Sequence, residues 1–257
     1  MSPSPTSFSL EPLFLALAAV AVAVYVWAAR AEQPSRARAW SFGAGVFLVA
    51  APLNSPLETI AAHYLLLMHL LQNALIADVA PLLLLLGLTP RMRDGLARAG
   101  ARPFELVTRP HVALPLWLVA WYGTHAAGFY DWALRSGWAL NIEHVILVAA
   151  GLLFWWPLVA ARLSTPGALA YLGIGFASSA FLGLALIFST RPFYSFYEHA
   201  PRLWGFSPTR DQNLGGVLMN SEQTAVFLGA IGYFLWRLLE EEHARGVNAA
   251  DESSAAR

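Results

Sequence analysis

Residues Leu57–Leu88 read LETIAAHYLLLMHLLQNALIADVAPLLLLLGL, an apolar run interrupted by a few polar side chains. A helix needs about 20 mostly apolar residues to cross the hydrocarbon core of a bilayer, and this run exceeds that length. Six further stretches have a similar apolar character: Pro12–Ala29, Trp40–Leu53, His111–Ala127, Ile142–Ala161, Ala168–Ser189 and Leu214–Leu239. The sequence therefore predicts an all-α polytopic membrane protein, a bundle of seven transmembrane helices.

The composition of the 257-residue chain supports this fold class, since 57% of the residues are hydrophobic and 12% are charged. The formal net charge is +0, so no nucleic acid is predicted as a partner. The chain has no Cys, which excludes thiolate sites and leaves His and Met as ligands for a soft metal ion. All 16 basic residues are Arg, which excludes a retinal or pyridoxal Schiff base. No hydrolase, phosphate-loop or HExxH motif is present, so the chain is not predicted to be an enzyme.

The Arg residues predict the orientation of the spans. Twelve of the 16 fall on one side of seven spans, and cytoplasmic loops carry the excess of positive charge. The N-terminus is therefore predicted outside and the C-terminus in the cytoplasm. Residues 1–239 form the predicted membrane domain, and the polar residues 240–257 are predicted to be a disordered cytoplasmic tail. The loop Arg191–Arg210 is rich in aromatic residues, which favours a segment on the outer leaflet, with a docking surface as the alternative.

Several polar side chains fall at a similar depth near the outer face of the predicted bundle. They are His63, His69, His125, His144, Met219 and Glu222. Ionisable groups inside a bilayer are costly and usually face the interior of a helix bundle. The leading interpretation is a shared polar site, and the alternative is that each histidine hydrogen-bonds separately to a neighbouring helix.

Helical spacing refines this site. His69 and Asn73 share one face of a helix, whereas His63 lies roughly 120° from His69 on an ideal helix. His63 and His69 are therefore not expected to chelate one ion together. Met219 and Glu222 lie on one stripe of the last span and can face the same neighbour.

Other residues of the long third span carry local structural signals. Ser55, Pro56 and Glu58 resemble an N-cap, a first-turn proline and a capping-box acid. Pro81 removes a backbone hydrogen bond and is expected to kink the helix. Asp78 lies just before this kink, and two roles stay open for it: an interhelical hydrogen bond, or a proton-binding or metal-binding group.

These residues form four blocks that resemble the multi-pass CtaG family of cytochrome c oxidase assembly proteins over about residues 40–240. The first block is His69-Leu-Leu-Gln-Asn73 with Asp78-Val-Ala-Pro81, and the second is His125 with Phe129-Tyr130-Asp131 and Ala133-Leu134. The third is Glu143-His144 followed by Gly151-Leu-Leu-Phe-Trp-Trp-Pro157, and the fourth is Asp211-Gln212-Asn213-Leu214-Gly215-Gly216-Val-Leu-Met219. Two positions depart from the family pattern: Asn73 replaces a second histidine, and Gly123-Thr124 with Ala126 replace the Trp and Pro beside His125.

The resemblance implies a multi-pass protein of the bacterial plasma (inner) membrane that helps to assemble a haem–copper oxidase of the respiratory chain. It implies oxidase subunits or other assembly factors as partners, besides the lipid bilayer. A role in copper handling is commonly inferred for the family. Because Asn is a poor ligand for Cu(I), the Asn73 departure bears directly on that role.

The leading hypothesis is a metallochaperone-like assembly factor that binds Cu(I) transiently. Its candidate ligands are His69, His125, His144 and Met219, with His63 as a further candidate. The residues expected around them are Asn73, Asp78, Glu143, Asp211, Gln212 and Glu222. Three alternatives stay open: a cargo-free scaffold for oxidase subunits, a haem-binding membrane protein that uses His69 with His144, and a copper permease.

Overall fold

The computed structural model describes residues 3–255, with side chains described as far as residue 247. Helix accounts for 82% of the chain, and the described residues contain no strand. The α-helices in this range are α1 Pro12–Glu32, α2 Arg36–Leu53, α3 Pro56–His63, α4 Leu66–Ala74, α5 Ala80–Gly87, α6 Pro90–Val107, α7 Pro110–Thr124, α8 Ala127–Leu134, α9 Gly137–Val159, α10 Thr165–Phe188, α11 Ser195–His199 and α12 Pro208–Ala255. A π-helical segment, Leu75–Val79, joins α4 to α5. The predicted all-α class is confirmed.

Four segments of the described chain are long and apolar enough to cross a membrane. They are Pro12–Glu32, Leu66–Gly87, Gly137–Val159 and Thr165–Phe188. The pair α2 and α3, bent by 52° at the break between them, meets the same test as a fifth span. α7 has 15 residues, about 22 Å of helix, which is less than the roughly 30 Å hydrocarbon core. The predicted count of seven spans and the orientation of the termini therefore stay predictions.

The third predicted span begins later than the sequence indicates. The prediction placed one helix over Leu57–Leu88, but the backbone leaves the helical region at Tyr64 and Leu65. The segment before this break, α3, follows α2 after a bend of 52°, and the candidate span runs from Leu66 to Gly87. Ser55 does cap α3, because its side chain accepts a hydrogen bond from the Leu57 N–H.

The disturbance expected at Pro81 takes the form of the π segment directly before it. Pro81 has no N–H to donate to the carbonyl of Ala77, four residues earlier, and the helix widens there. Gly151 of α9 packs against this carbonyl, and an added Cβ on Gly151 would collide with the Ala77 oxygen. The glycine therefore permits close approach of α9 to the widened turn.

The helices bury two neighbouring cores. α12 packs between α10 and α4, while α9 packs on α7 and α5. One core is built on aromatic side chains whose rings pack at tilted angles, including Trp117, Phe154 and Phe227. The second core contains Leu70, Met219 and several tyrosines, and it borders the polar residues of the candidate site.

The described part of the segment 240–257, predicted to be a disordered tail, continues α12 in the structure, and the division into a membrane domain and a tail stays a prediction. α12 continues to Ala255, and the last two residues lie outside the described part of the chain. Ion pairs within the helix support this continuation: Arg237 pairs with Glu241 at 3.2 Å, and Arg245 pairs with Glu242 at 2.7 Å. Pairs at this spacing stabilise exposed helices by about 0.2–0.5 kcal/mol each.

Candidate functional site

The start of α4 is fixed by a carboxylate from α12. Asp211 accepts hydrogen bonds from the backbone N–H groups of Leu66 and Leu67, at 2.8 and 3.0 Å. These N–H groups have no partner inside the helix, so Asp211 acts as an N-cap supplied from another element. Burial raises the pKa of Asp211, while these two N–H groups and Arg202 oppose the shift. The contact places His69 about one turn inside α4.

His69 is completely buried and is held by Tyr197, a residue of the loop Arg191–Arg210. The Tyr197 hydroxyl donates to the carbonyl of Ala61, so its oxygen must accept the hydrogen bond from His69 Nδ1, 3.0 Å away. The proton of a neutral His69 therefore lies on Nδ1. His69 Nε2 is left with a free lone pair and has no hydrogen-bond partner.

Glu143 of α9 faces this nitrogen. Its Oε1 atom lies 3.6 Å from His69 Nε2 and accepts a hydrogen bond from the Asn73 side-chain amide at 3.0 Å. The Glu143 Oε2 atom and the Asn73 Oδ1 atom are buried without partners. Asn73 and Glu143 thus form one polar contact between α4 and α9, beside His69.

Two further histidines lie close to His69. The ring of His144 is centred 6.0 Å from the ring of His69, and both of its nitrogens are buried without partners. His125 is bonded through Nδ1 to the carbonyl of Trp121 at 2.8 Å, which leaves its Nε2 free. The ring of Tyr130 lies next to both His69 and His125, with its centroid 4.9 Å from the ring of His69 and 5.8 Å from the ring of His125.

We name His69, His125, Tyr130, Glu143 and His144 the histidine pocket. Each of its side chains is at most 4% exposed, and each has at least one polar atom without a hydrogen-bond partner. Buried polar atoms are normally paired, so a pocket with unpaired atoms on all five residues is suited to a polar or cationic guest. Within residues 3–255 no three His, Asp or Glu side chains are already arranged around a common metal position.

Part of the loop Arg191–Arg210 packs over the pocket, and its predicted place on the outer leaflet stays a prediction. Tyr194 donates its hydroxyl hydrogen to the carbonyl of His125 at 3.1 Å, and its ring stacks on Tyr130 at 4.2 Å. Gln212 accepts from the Phe193 N–H at 2.7 Å and donates to the carbonyl of Arg191 at 3.2 Å. Gln212 therefore anchors this loop to α12.

The remaining predicted site residues are placed in three different environments. Met219 is buried in the core that also contains Tyr130 and Tyr197, beside the pocket. His63 is exposed at the end of α3, in contrast with the buried histidines. Asp78 lies on the π segment and Glu222 on α12, two elements that contact each other deeper in the bundle.

Sequence reasoning did not assign a site role to three aromatic residues of this region: Tyr130, Tyr197 and Phe14. Phe14 of α1 is 1% exposed and packs edge-on against His144, with ring centroids 5.9 Å apart. Tyr130 lies within the block quoted with His125, but no spacing relates Phe14 or Tyr197 to the histidines. Their contacts depend on tertiary packing alone.

Comparison with known proteins identified one family. The family model described as cytochrome c oxidase caa3 assembly factor matches residues 18–241, nearly the whole helical region. This match confirms the resemblance that the four sequence blocks indicate. No curated protein and no solved structure gave a match to the chain.

Proposed function

Because the chain belongs to the cytochrome c oxidase caa3 assembly factor family, we propose that it assists the assembly of a haem–copper oxidase by binding Cu(I) transiently in the histidine pocket. The chain acts in this proposal as a seven-span protein of the bacterial plasma membrane, with the pocket towards the outer face. It carries out no catalysis itself. Its partners are oxidase subunits or other assembly factors.

The free imidazole nitrogens support this proposal most strongly. His69 Nε2, His125 Nε2 and both nitrogens of His144 are buried without partners. Neutral imidazole is a good ligand for Cu(I), and the Tyr197 and Trp121 contacts hold protons on the opposite nitrogens of His69 and His125. Buried Met219 supplies a thioether in the hydrophobic core that also contains Tyr130 of the pocket.

The pocket also has features that would allow a bound Cu(I) ion to be released. Asn73 and Glu143 contribute oxygen atoms, which are weak ligands for a soft ion. The three histidines do not already surround one position, so loading requires side chains to rotate towards the ion. A site that is assembled on loading and lacks a strong ligand at Asn73 holds its cargo less tightly, as a carrier must.

A cargo-free scaffold is the second candidate, and a specific observation favours it. The pocket residues also connect separate elements: His69 joins α4 to the outer loop through Tyr197, and Asn73 joins α4 to α9 through Glu143. In this alternative the histidines serve as interhelical contacts, and no metal ion is needed.

Complementation of a strain that lacks this chain separates the two candidates. His69→Gln with His144→Gln keeps side chains that can hydrogen-bond but removes both imidazoles. The copper proposal predicts loss of oxidase assembly at normal levels of the variant protein, and the exposed-site control His199→Gln is expected to restore the parent phenotype. Full assembly by the double variant would contradict copper binding in the pocket and favour the scaffold.

A further inference from the structure

A second polar site lies deeper in the bundle than the histidine pocket. Asp78 is on the π segment, nine residues beyond His69, which corresponds to about 13 Å along the helix axis. Glu222 and Gln223 lie on α12, which contacts this segment. The contact between these two elements brings the three polar side chains into one region of the bundle.

The polar atoms of this site are unpartnered as well as buried. Asp78 is 0% exposed and Gln223 is 1% exposed. The carboxylate oxygens of Asp78 and Glu222 and both amide atoms of Gln223 are buried without hydrogen-bond partners. Two buried carboxyl groups and one amide without partners, on elements that contact each other, indicate a missing positive species, because the carboxyl groups would otherwise not be compensated.

The neighbouring elements supply no cation for the pair. α5 and α10 contain no Asp, Glu, His, Arg or Lys. The other elements that pack on the π segment or α12 carry Arg36 and Arg38 at the start of α2, His69 on α4, the exposed His111 at the start of α7, and Glu143 and His144 on α9. The three on α4 and α9 belong to the histidine pocket, and the two Arg residues are at the far end of α2. Asp78 and Glu222 are therefore each other's ionisable neighbours.

We propose that Asp78 and Glu222 form an intramembrane proton-binding site, in which the two carboxyl groups share one proton and Gln223 hydrogen-bonds to the pair. Two carboxylates side by side in an apolar interior cannot both stay ionised, and a proton between them removes one charge. The π segment fits this role, since such local widenings of helices often occur at functional sites. The two oxygen-bearing side chains leave a hard metal cation as the competing occupant, to be separated by experiment.

Infrared difference spectroscopy on the detergent-purified full-length chain tests the proposal. At neutral pH the proposal predicts a carbonyl-stretch band of a protonated carboxylic acid that shifts on exchange into heavy water. This band is predicted to disappear in the double variant Asp78→Asn with Glu222→Gln. The matched control Asp94→Asn removes an exposed carboxylate and is predicted to leave the band unchanged.

Isotope labelling keeps the test valid if the double variant fails to fold. Carbon-13 in the side-chain carboxyl groups of either Asp or Glu of the parent protein is predicted to shift part of the same band. Asp78 and Asp211 are the fully buried Asp residues among the described side chains, and Asp211→Asn separates their contributions. Absence of any acid band assigned to Asp78 or Glu222 would overturn the proposal. Carboxylate bands of the pair that shift on addition of Na⁺ or Ca²⁺ would also overturn it, in favour of a metal cation.

Discussion

Asn73 and His69 meet the same carboxylate oxygen. Glu143 Oε1 accepts the Asn73 amide at 3.0 Å and lies 3.6 Å from His69 Nε2. The family pattern has a histidine where this chain has Asn73, so one carboxylate here binds an amide in place of a potential imidazole. In the proposed copper site this contact takes the place of a possible ligand, and the first prediction follows from it.

Replacing Asn73 by His is expected to tighten Cu(I) binding. Position 73 is one turn from His69 on the same face of α4, so the substitution adds an imidazole beside the free Nε2 atom. The added imidazole is a good ligand for Cu(I), and it is expected to raise the Cu(I) affinity by about 10-fold or more. Substitutions around metal sites change metal affinity on this scale. Competition with a Cu(I) chelator measures the change, and Asn73→Gln is the control that keeps an amide. Equal affinities of the His variant and the parent would place the copper site elsewhere.

Tyr197→Phe is expected to weaken the pocket without removing a ligand. The substitution leaves His69 Nδ1 buried without its partner, and this costs about 1–3 kcal/mol of unfolding free energy. The His69 proton is then free to move to Nε2, and Cu(I) affinity is expected to fall by about 10–100-fold. Thermal unfolding in detergent and chelator competition measure the two effects. Tyr122→Phe removes an exposed hydroxyl that bonds Ser178 and serves as control; if it lowered Cu(I) affinity equally, the specific role of Tyr197 would be refuted.

Gly151→Ala is expected to destabilise the bundle at the π segment. The added methyl group collides with the Ala77 carbonyl oxygen, and overpacking of this kind costs about 1–3 kcal/mol. Gly173→Ala is the matched control, because nothing lies within 4 Å of its added Cβ. Melting temperatures of the two variants in the same detergent check the prediction. A Gly151→Ala variant as stable as Gly173→Ala would show that α9 does not approach the widened turn.

Cysteine labelling tests the predicted orientation, since the chain has no native Cys. Glu198→Cys in the outer loop and Ala99→Cys on α6 place single thiols at exposed positions. A membrane-impermeant maleimide is expected to label Glu198→Cys in intact spheroplasts and Ala99→Cys only after permeabilisation. The reverse pattern would invert the topology, and labelling of both in intact spheroplasts would refute the placement of these segments on opposite sides.

The sequence predicted what depends on local pattern. Apolar composition located α1, α9 and α10 to within a few residues, and Ser55 with Pro56 marked the start of α3. Apolar length alone could not predict the break before Leu66, because no Gly or Pro stands at Tyr64 and Leu65. The N-terminus of α4 is fixed instead by Asp211, which is 145 residues from Leu66 in the chain.

The sequence pattern also could not predict the contacts of the candidate site that join distant segments of the chain. The helical period correctly placed His69 and Asn73 on one face, and both contact Glu143. The period could not place Tyr197 against His69, or Asp78 against Glu222, because these pairs are joined by tertiary packing of distant segments.

Anaerobic titration of the detergent-purified chain with Cu(I), against a competing chelator, tests the central claim most directly. The parent protein is measured beside His69→Ala with His144→Ala and beside the exposed-site control His199→Ala. The account predicts stoichiometric Cu(I) binding by the parent and the control and loss of binding in the double variant. Absence of binding by the parent, or parental affinity in the double variant, would contradict a copper site in the histidine pocket.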